Sequence, residues 1–277
     1  MSDVQRHTII LLHGGPSFYG YMNSLRDLID PQKYHVIDYA QRGTHEYPSH
    51  DPVTLSDHLQ DLRDQVNTHT QGHYSIIGHS WGANLALLFA AQNPPNLCRI
   101  ILLGTAPLSF EIEDLFTQQL DDRMDPQIQQ QLEELDISLR RELERVESPI
   151  IDELFAQRIK LIEPLYHHNP ITSTLMPPCS FKFSSFLETK GELWRLITAG
   201  EVPQILARIK VQVSLIHGEL DIIPVDETFA FLKACIPQVT STMLAQTGHF
   251  PWLEPQSAHA CLEAIYRELS TSCDQSK

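Results

Sequence analysis

The sequence predicts an α/β protein: a sheet of about six parallel strands, helices on both of its faces, and a helical insertion in the second half. Three observations lead there. Short β-branched apolar runs alternate with amphipathic or Ala/Leu-rich segments, the pattern of strands buried on both faces. The alternation stops at Pro107 and resumes near Val211. This divides the chain into a core of residues 1–107 and 208–277 and a cap, or lid, of residues 108–207. Finally, several runs end in turns bearing Gly with His, Ser or Asp, at the strand ends where open parallel sheets place ligand chemistry.

The elements follow in order. His7 to Leu12 is a buried strand closed by the turn His13-Gly14-Gly15-Pro16, and Tyr34 to Tyr39 is a second strand. Thr54 opens a helix: its hydroxyl can cap the free amides, Asp57 completes a variant capping box, and Leu55, Leu59, Leu62 and Val66 share one face. Tyr74 to Ile77 is a strand ending at Gly78, residues 81–93 a buried helix, and Arg99 to Leu103 a strand. In the insertion, Ile128, Leu132, Leu135, Leu139, Leu143 and Val146 form an apolar stripe after Asp125-Pro126. Ser148-Pro149 starts a further helix that ends at Glu163-Pro164. Pro170 to Ser185 reads as loop, with short helices near 191–199 and 203–209. The core resumes with a strand at 211–216, a helix at 226–236 and a strand at 239–244. A last helix has Pro255 in its first turn and runs to about Leu269, and the polar tail after Ser270 is expected to fray.

Composition excludes several functions. The net charge of −15 argues against nucleic acid and against an anionic membrane surface, since both need a basic face. Residues 111–163 carry 15 Asp or Glu against 6 Lys or Arg, so more than half of the excess falls in the first insertion helices. The five cysteines are odd in number and form no C-x-x-C pair, so neither a disulfide framework nor a zinc site is expected and a reducing compartment fits. The opening MSDVQRHTII has no basic patch followed by an apolar run, and no stretch reaches the roughly 20 apolar residues of a bilayer span. The expectation is a cytoplasmic protein that acts on a small molecule without metal or cofactor.

The chemistry centres on Gly78-His79-Ser80-Trp81-Gly82, between a buried strand and a helix. A sharp turn there lifts a serine hydroxyl above the sheet, and glycines on either side let the backbone pass without a Cβ clash. The Trp81 amide, at the helix start, is free to stabilise an oxyanion. Serine needs a base and a carboxylate behind it, expected in the order Ser, acid, His. Asp221, in His217-Gly218-Glu219-Leu220-Asp221, and His249, in Thr247-Gly248-His249-Phe250, each follow a late strand. Ser80, Asp221 and His249 form the candidate triad, with Glu219 the competing acid or a substrate contact. Gly15 is the second candidate oxyanion donor, with Gly14 its substitute, and Gly14, His79, Glu219 and Phe250 are candidate substrate contacts.

With these residues the chain resembles the α/β-hydrolase fold, and within it the proline iminopeptidase (prolyl aminopeptidase) group. The resemblance rests on His13-Gly14-Gly15-Pro16-Ser17, on Ala40-Gln41-Arg42-Gly43, on Gly78 to Gly82 followed by Leu85-Ala86-Leu87, and on Gly248 to Glu254. Ser17, Ala40 and His79 depart from the group's HGGPG, DQRG and GGSWG. The group's opening hairpin has no room before His7, hence about six strands, all parallel. The resemblance implies a cap over the site, with cap or loop carboxylates that hold a substrate amine. Glu163, Glu188, Glu192 and Glu219 are candidates for that task. Three functions stay open: an aminopeptidase-like serine hydrolase working through an acyl-enzyme, a carboxylesterase or other small-ester hydrolase, and a non-catalytic binding protein on this fold. An ester pocket needs apolar walls, which Phe18, Phe110, Phe181 or Trp194 can supply.

Overall fold

A computed structural model describes residues 6–49, 52–145, 148, 150–177, 182–271 and 273. The strands are β1 (His7–Leu12), β2 (Tyr34–Asp38), β3 (Tyr74–Ser80), β4 (Leu97–Thr105), β5 (Gln212–Gly218) and β6 (Thr240–Leu244). They form one six-stranded sheet in the order β2-β1-β3-β4-β5-β6. Every neighbouring pair is parallel. The chain winds outward in both directions from β1 and β3, so their carboxyl ends flank the point where the winding reverses. Open sheets of this kind carry their ligand crevice there.

Alternation along the strands supplies both faces. Ile10, Leu12, Ile76, Ile100 and Leu102 point to one layer. It is covered by α2 (Leu55–His69), α3 (Trp81–Ala90) and α9 (Val225–Cys235). Ile9, Leu11, Ile77, Ile101 and Leu103 point to the other. That side holds α1 (Asn23–Arg26) and α10 (Ala258–Ser270). Residues of α3 are all buried, which accounts for its uniformly apolar sequence. The cap of α2 is formed: Thr54 Oγ1 accepts from the Asp57 amide at 3.2 Å, and Asp57 Oδ2 accepts from the Thr54 amide at 3.0 Å.

Between β4 and β5 lie α4 (Phe110–Arg123), α5 (Pro126–Leu143), α6 (Ile151–Ile162), a 3-10 turn (Glu163–Tyr166), α7 (Phe183–Thr198) and α8 (Val202–Leu206). Leu132, Leu139, Phe155, Ile159, Ile162 and Phe183 pack into a small core of their own. The stripe on α5 is only partly used: Leu132 and Leu139 are buried, whereas Leu143 is 49 % exposed. Its last member, Val146, lies outside the described residues. α7 begins at Phe183, within the stretch expected to be loop, because Phe183 packs on Phe155 with ring centroids 4.8 Å apart. α10 begins after Ser257 instead of around Pro255, because residues 251–257 turn to bring Trp252 and Glu254 inward.

The expectation about the cysteines is overturned. Cys98, at the start of β4, is disulfide-bonded to Cys273. The preceding residues are anchored too: Arg99 Nη2 donates to the Thr271 carbonyl at 2.6 Å, and Arg99 Nη1 reaches the Glu268 carbonyl and the Thr271 hydroxyl. Thr271 is thereby held, and the rest of the tail expected to fray lies, apart from Cys273, outside the described residues. With the disulfide formed, the cysteine count no longer argues for a reducing compartment. Among the described residues no helix is long and apolar enough to cross a membrane.

Reducing the bond between Cys98 and Cys273, which are 175 residues apart, is expected to cost about 3 kcal/mol, or roughly 5–10 °C in Tm. Calorimetry with and without dithiothreitol reads this. A Cys98→Ser, Cys273→Ser double variant should match the reduced protein and ignore the reductant.

Candidate active site

Ser80 closes β3 and precedes α3, with φ 55° and ψ −121°. A non-glycine residue with positive φ is strained and persists only where the surroundings enforce it. The enforcement is close packing: a Cβ on Gly82 would run into the Leu12 carbonyl, and one on Gly78 into the Gly82 carbonyl. The first turn of α3 is thereby pressed against the end of β1. As the first residue of α3, Trp81 has a backbone N–H without an intrahelical acceptor.

The β1 loop is fixed by a chain of hydrogen bonds. The Gln41 amide donates to His13 Nε2 at 3.1 Å, so His13 Nδ1 carries the proton and donates to the Gly14 carbonyl at 3.0 Å. Burial holds His13 down at about 4, hence neutral. The Gln41 side chain spans the crevice: its Nε2 donates to the His13 carbonyl at 2.9 Å and its Oε1 accepts from Trp81 Nε1 at 3.0 Å. Gly15 takes φ +115°, and a Cβ there would meet the Phe18 ring. The Gly14 amide is already engaged, donating to Tyr21 Oη at 2.7 Å. Tyr21 in turn lies 2.6 Å from His79 Nδ1. His79 Nε2 is 2.9 Å from the His249 carbonyl, which can only accept, so Nε2 carries the proton and Tyr21 donates to Nδ1. Burial, then the neighbouring His249, push the His79 imidazole well below its usual range, so it stays neutral. His79 thus ties the Ser80 turn to both the Gly14-Gly15 loop and the His249 loop.

Asp221 and His249 meet after β5 and β6. His249 Nδ1 is 2.8 Å from Asp221 Oδ2, and Asp221 Oδ1 accepts from the Ile223 amide at 2.9 Å. Burial alone would raise the Asp221 carboxyl; the His249 and His217 imidazoles outweigh it and hold the group far below the usual carboxylate range. The insertion braces the His249 loop directly. The His249 amide donates to the Tyr166 carbonyl at 2.7 Å. Glu254, fully buried, accepts from the Gly248 amide at 2.9 Å and from the His168 amide at 3.3 Å. Between them sits His167, stacked on Phe250, 2.7 Å from Glu163 Oε1 and 3.7 Å from Glu254 Oε1.

A cavity of about 230 Å³ opens over these groups, bounded by Gly14, Gly15, His79, Ser80, Trp81, His249 and Phe250 from the sheet side. Its other walls are mostly apolar and come from the inserted helices, among them Phe116, Ile159, Ile162, Phe186, Leu193 and Trp194. Phe18 also lines it, whereas Phe110 packs edge-on against Trp194 and is 46 % exposed; Phe181 lies outside the described residues. Of the four candidate carboxylates, Glu163 alone borders the cavity. Glu188 and Glu192 accept from the Val53 and Leu55 amides at 2.8 and 2.9 Å, ahead of and at the start of α2. Glu219 is exposed, outside the cavity lining, beside the Gln246 amide.

A family model, the alpha/beta hydrolase family, matches residues 9–261. The chain belongs to the alpha/beta hydrolase family. A stretch of 110 residues is 32% identical to a proline iminopeptidase of Xanthomonas citri, covering 38% of this chain and 34% of that protein. The chain spans about a third of the length of the curated relatives it matches. A solved proline iminopeptidase of Mycobacterium smegmatis superposes with a TM-score of 0.63 at 22% identity, over 95% of this chain and 89% of that one. A structure from a study of carboxylesterases of Nitrososphaera gargenis superposes at 0.64 with 20% identity, over 98% of this chain and 93% of that one. At these identities the structures share the hydrolase fold.

Several residues that shape this hydrolase's site escape a reading of the sequence. Gln41 stands in a motif that carries the family resemblance, but nothing in the motif states that it bridges His13 and Trp81. Tyr21 and Tyr166 reach His79 and His249, remote in sequence, and nothing local announces them; Glu254 ends a motif that carries the resemblance, but nothing in the motif states that it also reaches the His168 amide and faces His167. His167 gives a pH test. Burial lowers its titration point, but the Glu163 hydrogen bond and the two carboxylates outweigh burial and raise it to about 9. A histidine raised above its usual 6.5 stabilises the fold fully below pH 6.5 and loses that contribution as pH rises through about 9. The Tm difference between wild type and His167→Gln is therefore expected to be largest at pH 6 and to shrink towards pH 10, as read by thermal melts across that range.

Proposed function

We propose that this hydrolase is a serine hydrolase working through an acyl-enzyme, with small apolar esters as its best substrates. Ser80 attacks the carbonyl carbon while His249 takes its proton, and Asp221 orients His249 and stabilises its charged form. The amides of Trp81 and Gly15 hold the oxyanion, each such donor contributing about 3 kcal/mol to barrier lowering. The Gly14 amide is not assigned this task, since its N–H already donates to Tyr21 Oη. His249 then protonates the leaving group, and water, activated by the same imidazole, releases the acyl group. The helices between β4 and β5 act as the cap that walls the acyl pocket and keeps water out.

The observation that carries the substrate class is the state of the charges at the cavity. Each one has a partner in the protein: Glu113 pairs with Lys190 at 3.2 Å, Arg158 with Asp136 at 2.7 Å, and Glu163 with His167 at 2.7 Å. An acyl group arriving there meets apolar side chains. The kinship with proline iminopeptidases favours a second reading, in which the apolar pocket takes a prolyl ring and Glu113 or Glu163 gives up its partner to hold the amine.

The test compares 4-nitrophenyl butyrate with a proline arylamide. Wild type is expected to cleave the ester, and Ser80→Ala to lose at least about a thousandfold in kcat. Undiminished ester cleavage by Ser80→Ala would sink the assignment. Amide turnover that exceeds ester turnover and collapses in Glu113→Gln or Glu163→Gln would move the enzyme to the second reading.

A further inference from the structure

We propose that His217 is a positioning residue that shares the Asp221 carboxylate with His249 and moderates how strongly that carboxylate draws on the base. This rests on the serine-hydrolase reading of Ser80, His249 and Asp221.

His217 is the penultimate residue of β5 and is 1 % exposed. Its Nε2 lies 2.7 Å from Asp221 Oδ2, the same oxygen that His249 Nδ1 approaches at 2.8 Å. The two imidazoles therefore converge on one oxygen, while the other oxygen is held by the Ile223 amide. The His217 approach is oblique: the distance is that of a hydrogen bond, but neither ring nitrogen has an aligned partner among the described residues. A buried polar group left imperfectly satisfied costs free energy that an apolar side chain in the same place avoids. What the imidazole adds at this position is a proton donor within reach of the carboxylate.

The surroundings leave the task to His217. Arg123 feels the Asp221 charge, but its guanidinium donates to the Leu165 carbonyl at 2.6 Å and the Leu220 carbonyl at 2.7 Å. Tyr166, whose ring tilts against His249, also senses Asp221, as does His79, which is committed to Tyr21 and the His249 carbonyl. Glu254 bonds the loop beside His249, through the Gly248 and His168 amides. His217 is left as the second imidazole within 2.7 Å of Oδ2. With two imidazoles on that oxygen, its charge is divided. When His249 accepts the Ser80 proton it pulls Asp221 towards itself, and His217 keeps the carboxylate from following. Without His217 the whole charge falls on His249, which holds its proton more tightly and releases it to the leaving group more slowly.

The experiment measures kcat, KM and the pH profile of kcat/KM on 4-nitrophenyl butyrate for wild type, His217→Leu, His217→Asn and His217→Gln, with Ser80→Ala alongside. Losing this close polar contact to a charged group predicts a fall of roughly tenfold in kcat for His217→Leu. KM should stay near wild type, and the acid limb should move to higher pH. His217→Gln, whose amide reaches as far as Nε2, should restore most of kcat and the position of the limb. His217→Asn, too short to reach Oδ2, should resemble His217→Leu, and it carries the comparison if the leucine variant does not fold. If Ser80→Ala is inactive while the leucine and asparagine variants keep wild-type kcat and an unmoved limb, the role of His217 is overturned and the triad stands. Equal losses in all three His217 variants with no movement of the limb mean packing only and also overturn it. Full activity in Ser80→Ala takes down both readings.

Discussion

The start of α3 sits so close to the end of β1 that residue 82 has no room for a side chain. Much of the site depends on this one contact. To enter the helix at that distance the chain must leave β3 in a conformation that an L-residue adopts only under constraint, and Ser80 is the residue that bears it. The same approach sets the first amide of α3 beside the Gly14-Gly15 loop. The proposed oxyanion site, made of two amides from separate strands, needs those strands to be neighbours and their exits to be locked. The parallel pairing of β1 with β3 provides the first, and the Gln41 bridge between His13 and Trp81 the second.

The other half of the site is held differently. Asp221 is fixed within its own turn, by the Ile223 amide on Oδ1 and by its own amide on the Gly218 carbonyl, whereas the His249 loop is braced largely from elsewhere in the chain. His79, in the serine turn, grips the His249 carbonyl; the Tyr166 carbonyl accepts from the His249 amide and Glu254 from the Gly248 amide. The segment that walls the cavity is thus also the segment that steadies the histidine. The acidity of the chain, concentrated in the first insertion helices, bears little on the cavity. Its bordering carboxylates Glu113 and Glu163 are neutralised by Lys190 and His167, and most of the remaining charge faces solvent.

How much of this could be read in advance follows from the range of the interactions. Gly78 to Gly82 was legible because strand, turn and helix are adjacent in sequence and the two glycines are demanded locally. Thr54 and Asp57 form their capping box for the same reason. Asp221 and His249 were legible through their strands, each lying just past a β-branched run. The long-range contacts that complete the site were not: Tyr21 with His79, Gln41 with His13 and Trp81, and Glu254 with His167 and the His168 amide meet only after the sheet has wound. The start of α10 was misplaced because Pro255 suits a first helical turn, whereas tertiary packing of Trp252 and Glu254 overrides that preference. The pairing of Cys98 with Cys273 left no trace in spacing, since it is made by the sheet and by the return of α10 to the foot of β4.

That pairing also has a mechanical meaning. It closes residues 98 to 273 into a covalent ring that contains β4 to β6, all of the inserted helices, Asp221 and His249. Ser80 and Gly15 lie outside it. Tension applied at the two ends of the oxidised protein cannot lengthen the ring and passes only through the open segment before Cys98. The load then falls on the contact between β3 and β4, whose parting separates Ser80 from His249 while each stays within its own half.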